Sequence, residues 1–117
     1  SLLEAAIPTN DTENIKNRID SAILKFRRSK STLDERFAAI RELADVLEFI
    51  RPSIKEHLLS DDEKALFNIV NNFGIRHHNT KQKTNYDKPI WYSWIFYCCL
   101  ATLHAVLRLA EKKENSI

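Results

Sequence analysis

Apolar residues recur at helical spacing through most of this chain, and the pattern divides it into segments. Ile15, Ile19, Ala22, Ile23 and Phe26 fall three or four positions apart, forming one stripe along a helix from about residue 11 to 28. Asp11 and Glu13 stand at its start and Arg27-Arg28 at its end, the order the helix dipole favours. The basic connection RRSKS follows. Thr32-Leu33-Asp34-Glu35 then opens a second helix with a capping-box pattern, in which Thr32 and Glu35 satisfy free backbone N–H groups. Phe37, Ile40, Leu43, Ala44, Leu47 and Ile50 make its buried face. Val46 and Phe49 widen that face, so the helix should meet more than one neighbour. Pro52 ends or kinks it, and a short helical piece, residues 53 to 59, is expected next.

The capping signal repeats at Ser60-Asp61-Asp62-Glu63, and Leu66, Phe67, Val70 and Phe73 give a third amphipathic helix that stops at Gly74. Residues 76 to 89 read as an ordered connection of about a dozen residues, longer than most helix–helix links and of a length often used for function. A last helix starts near Asp87 or Lys88, tolerates Pro89 in its first turn, and runs to about Lys113. From Ile90 to Leu103 it is apolar or aromatic on nearly every face, which suits the centre of a bundle or a membrane span. Tyr92, Ser93, Tyr97, Thr102 and His104 dilute the run, and three amphipathic helices need something to cover. The expectation is therefore an all-α fold, a helical bundle of four to five helices with a long apolar C-terminal helix and no membrane partner.

Composition agrees with a single domain. The chain has 117 residues, 44% hydrophobic and 29% charged, with one Gly and three Pro, too few for a turn-rich all-β fold. Residues 1 to 10 read as a linker or the end of an upstream element, with Pro8-Thr9-Asn10 as the break, and residues 11 to 117 as one bundle domain. The chain lacks Met, an initiator included. We therefore expect the C-terminal part of a longer protein, with an upstream domain as a partner. Adjacent Cys98 and Cys99 in the apolar run read as reduced, buried thiols of a cytoplasmic protein.

Net charge is only +2, so bulk electrostatics name no ligand. Charge is concentrated locally: Arg76, Lys81, Lys83 and Lys88 stand against Asp87 alone, beside His77 and His78. Polar connections are commonly just solvated. Arg, Lys and His mixed with Asn, Gln, Thr and Tyr are also the groups that grip phosphate and ribose. Here Arg76, His77 and His78 are the catalytic candidates. A neutral His can take the proton of a ribose 2′-hydroxyl, and an adjacent Arg can stabilise charge on a phosphate. Asn79, Lys81, Lys83 and Tyr86 are the candidate RNA- or phosphate-binding residues. Tyr86, Trp91, Tyr92 and Trp94 are core packing by default, or supply a surface on which a base stacks. His104 reads as a hydrogen-bonded core residue that, with Arg108 one turn on, could line a site. No cofactor is implied, and no metal, since His77-His78 has no Cys or carboxylate at ligand spacing.

An Arg followed by a polar residue, in the connection before a final long helix, resembles the HEPN superfamily (higher eukaryotes and prokaryotes nucleotide-binding domains). The segment NNFGIRHHNTKQKTNYDKPIWYSWIFYCCLATLHAVLRL is similar to C-terminal segments of bacterial HEPN-like, abortive-infection-type proteins. The likeness covers about residues 61 to 109. It implies a bundle that often forms a homodimer and, in active members, metal-independent RNA cleavage in phage defence or toxin systems. The family pattern is Arg, a polar residue, then a His after four to six intervening positions. Arg76 and His77 fit the first two, while the expected His falls at Lys81, Gln82 or Lys83. Either His77 or His78 serves by a different geometry, or the domain binds RNA, nucleotide or protein without cutting. The opposing reading is a non-catalytic dimerisation or protein-interaction module.

Overall fold

The computed structural model describes residues 1–72 and 86–115, and among them every regular element is helical. A π-helical turn, Thr12–Lys16, leads into α1 (Asn17–Arg27). Asp11 caps it, its side chain accepting from the Asn14 N–H at 2.9 Å, and the wider turn is closed by Lys16 N–H donating to the Asp11 carbonyl. The stripe behaves as its spacing requires: Ile15, Ile19, Ala22, Ile23 and Phe26 are all buried. α2 (Leu33–Phe49) starts at the Thr32 cap, whose hydroxyl accepts from the Glu35 N–H at 3.1 Å. It returns antiparallel to α1. Arg28–Glu35 (3.2 Å), Lys25–Glu42 (3.1 Å) and Arg18–Asp45 (3.8 Å) bridge the pair in reversed order.

The break expected near Pro52 is present, and the short helix expected after it follows. α2 stops at Phe49, Ile50 forms a one-residue joint, and α3 (Arg51–His57) begins with Pro52 in its first turn, where a missing N–H costs nothing. The joint corrects one expected core position: Phe49, at the end of α2, is 51% exposed, whereas Ile50 turns inward. α4 (Ser60–Asn72) buries Leu66, Phe67 and Val70, while Phe73 lies outside the described residues. Its capping box is also corrected. The helix begins one residue early, with Glu63 N–H donating to the Leu59 carbonyl. The Glu63 carboxylate, expected as a cap, is buried and accepts from Arg51 Nε at 2.6 Å.

α5 (Lys88–Asn115) lies against the α1–α2 pair. Phe96, fully buried, stacks on Phe26 with ring centroids 3.9 Å apart and planes within 6°. Phe37 near the start of α2 meets Tyr92, and Ile50 just past its end shares a cavity wall with Leu107, so α2 and α5 run parallel. Lys113 pairs with Glu56 on α3. Leu2, Leu3 and Ile7 of the first ten residues pack half-buried against the same core. α5 is long and apolar enough to cross a membrane by length and composition, and the bundle buries half of its most apolar stretch.

Candidate functional site

Arg76, His77, His78, Asn79, Lys81 and Lys83 lie outside the described residues. What is described is the frame that flanks them, and its chemistry begins at Tyr86. Asp87 caps α5: its Oδ1 accepts from the Ile90 N–H at 3.2 Å, and its carbonyl accepts from the Trp91 N–H. Pro89 sits in the first turn, where its ring is accommodated. These local features fix the direction in which the next two turns present their side chains.

The four aromatics divide. Tyr92 is buried between Phe37 and Tyr86, with centroids 5.9 and 6.1 Å away. Tyr86 is half-buried against it, and burial, then the Tyr92 hydroxyl, push its phenol well above the ordinary range, so it stays protonated. Tyr86 is thereby tied to the core side of the helix. Trp91 and Trp94 are 39% and 44% exposed and meet edge to face at 5.5 Å. Both indoles stand on the solvent side of a rigid helix, in the turns that directly follow the basic segment.

His104 and Arg108 are one turn apart but are not presented alike. Arg108 is exposed; His104 is 4% exposed. The expected core hydrogen bond is absent: among the described residues neither ring nitrogen of His104 has a partner. Burial, and then the Arg108 charge, lower its pKa and hold the ring neutral. A neutral, buried imidazole is poorly placed to line a site open to solvent. Cys98 and Cys99 are free thiols, the first half-buried and the second buried; burial raises both, Cys99 to about 12. Among the described residues no group of three His, Cys, Asp or Glu side chains could hold a metal ion.

Two features escaped the sequence reading. One is the extent of the exposed α5 surface. Ile90, Trp91, Trp94, Tyr97 and Leu109 are all well exposed, and Ala101 and Ala105 lie between them. Between Pro89 and Ala110 the sole charge is Arg108. A helix apolar all round signals that some apolar face will lack cover, but not which one. The other is the α3–α4 corner, where Arg51 lies over the Phe67 ring at 3.9 Å and a cavity of about 330 Å³ opens beside Lys55, Ser60 and Lys64. Only the fold brings those side chains together. The chain matches no protein-family model, no curated protein and no solved structure.

Proposed function

We propose that this domain binds single-stranded RNA or nucleotide, with segment 76–88 gripping phosphate and the start of α5 offering a stacking surface. One observation carries the reading: Trp91 and Trp94 stand exposed at the head of α5, immediately after a stretch of formal charge +3. Cations for the backbone and π-faces for the bases are the two components of single-strand recognition. In this reading Arg76 binds phosphate, and Asn79, Lys81 and Lys83 follow the backbone.

Cleavage is the further step of the same proposal. His77 or His78 would remove the 2′-hydroxyl proton while Arg76 stabilises the scissile phosphate, leaving 2′,3′-cyclic ends without a metal. The setting is the reducing cytoplasm, in the defence or toxin systems that the HEPN-like sequence suggests.

Fluorescence anisotropy with a labelled RNA oligonucleotide, titrated against salt, tests binding. The affinity of the wild type should fall steeply as salt rises. Trp91→Ala or Trp94→Ala should weaken it by about 5- to 100-fold. Replacing Lys81 and Lys83 by Ala should flatten the salt slope by about 0.7 for each phosphate no longer neutralised. Salt-independent or absent binding would refute the proposal. Incubating a tRNA and mRNA pool in EDTA with the wild type, Arg76→Ala and His77→Ala tests cleavage separately.

A second reading has its own observation. The exposed apolar surface of α5 continues past the indoles to Leu109, about 28 Å along the helix axis and further than base stacking needs. Contiguous apolar surface of this kind marks protein interaction sites. It favours a homodimer or a protein-interaction module. Sedimentation velocity separates the two: under this reading Ala101→Glu shifts wild-type dimers to monomers and leaves RNA affinity unchanged.

A further inference from the structure

The corner between α3 and α4 holds an arrangement that the fold alone does not require. Glu63 is a buried carboxylate, 3% exposed, and it is committed to Arg51 through the 2.6 Å bond to Nε. Arg51 Nη1 also donates to Glu48 at 3.4 Å, and the guanidinium lies over Phe67. Three contacts therefore hold one planar cation in one orientation. Its Nη2 donors have no protein partner among the described residues.

That cation borders a cavity of about 330 Å³ lined by Arg51, Lys55, Ser60, Glu63 and Lys64. Lys55, on the last turn of α3, and Lys64, on the second turn of α4, are exposed. Neither has an ion-pair partner among the described residues. Asp61 and Asp62 on the neighbouring turn are exposed and do not line the space. Two ammonium groups without an ion-pair partner, the Nη2 edge of Arg51 and a hydroxyl thus face one cavity, and its one lining carboxylate among the described residues is already paired. Like charges facing a shared space repel, and a bound anion relieves them.

We infer that this corner is a binding site for a phosphate monoester. A monoester carries nearly two negative charges at neutral pH and three acceptor oxygens, which suits the Nη2 edge of a fixed guanidinium together with two exposed ammonium groups better than a single carboxylate does. The volume exceeds what a phosphate alone fills, and it leaves room for a sugar-sized group. The site is at the N-terminal end of α4 and uses none of the residues on which the RNA reading rests.

The test is an amide-resolved NMR titration of the full chain at constant ionic strength, with ribose 5-phosphate, inorganic phosphate, ribose and sodium chloride as separate probes. Ribose 5-phosphate should give saturable shifts at the amides of Ser60 to Lys64. A Lys55→Gln/Lys64→Gln double variant should weaken its binding at least about tenfold. Both lysines are exposed, so the variant should keep the wild-type melting temperature and remain interpretable. Shifts reproduced by chloride or by ribose, or retained in the double variant, would overturn the site. Equal affinity for inorganic phosphate would overturn the assignment to a monoester.

Discussion

In a His104→Leu variant the bundle exchanges a buried imidazole, both of whose nitrogens lack partners among the described residues, for an apolar side chain of similar size. A buried donor or acceptor left unsatisfied costs about 1–3 kcal/mol. The swap also improves helix propensity slightly and adds no net volume that would strain the core. We expect a gain of about 1–3 kcal/mol near neutral pH, each kcal/mol raising Tm by about 4 °C for a domain of this size. The pH dependence supplies a second, independent signature. The His104 pKa is lowered in the folded state, first by burial and then by Arg108, below its ordinary value of 6.5. Above that value both folded and unfolded states carry a neutral ring, and the group adds nothing to the slope. As pH falls below it, the unfolded chain takes up the proton first, and the folded state loses stability until its own lowered pKa is passed. Urea unfolding followed by far-ultraviolet circular dichroism, from about pH 8 to about pH 5, reads both effects. Wild type should lose more stability than the variant across that range. If the two lose stability in parallel, or if the Leu variant is weaker at pH 8, His104 has hydrogen-bond partners and the reasoning fails.

Other outcomes follow from the same geometry. Glu63→Ala leaves Arg51 without its main anion and should cost about 2–3 kcal/mol, less than a fully buried pair because Arg51 reaches solvent; a loss below about 0.5 kcal/mol would mean the pair is incidental. Thr32→Ala removes the cap of α2 and should cost about 1 kcal/mol by thermal melting. Under native conditions iodoacetamide should label Cys98 slowly and Cys99 hardly at all, while both react in urea. Equal native rates at the two thiols, measured by mass spectrometry, would contradict the burial of Cys99.

Sequence periodicity is most informative where a helix buries one face and leaves the other in water. Spacing alone sends Ile15, Ile19, Ala22, Ile23 and Phe26 to the core, and every one is buried. Periodicity fails where an element ends or where a partner lies far off in sequence. Phe49 continues the apolar pattern of α2, but the joint at Ile50 rotates the chain and leaves that ring in solvent. Glu63 carries a local capping signal, and the stronger demand comes from Arg51, twelve residues earlier. α5 shows the opposite weakness: a helix apolar on all sides has no periodicity with which to say which side is covered. The split between Tyr92 inside and Trp91 and Trp94 outside therefore emerges only in three dimensions. Of the site candidates, Tyr86, His104 and Arg108 fall within the described residues, and their environments differ too much for them to act as one group.

The stacking of Phe26 on Phe96 also governs the order in which the chain can fold. α1 and α2 are neighbours joined by a short turn, so their hairpin forms from local contacts on a fast timescale. The ring pair joins positions about seventy residues apart and forms only after a long loop closes. Until then Ile19, Ile40 and Leu43 have only part of their final surroundings, and the apolar length of α5 stays in water. Kinetic analysis of core substitutions should therefore give φ-values high in α1 and α2 and near zero in α5. High values in α5 would mean that this helix nucleates the fold instead of sealing it. If α5 docks last, its apolar length is the surface left in water until the final step, and misassociation competes with folding there.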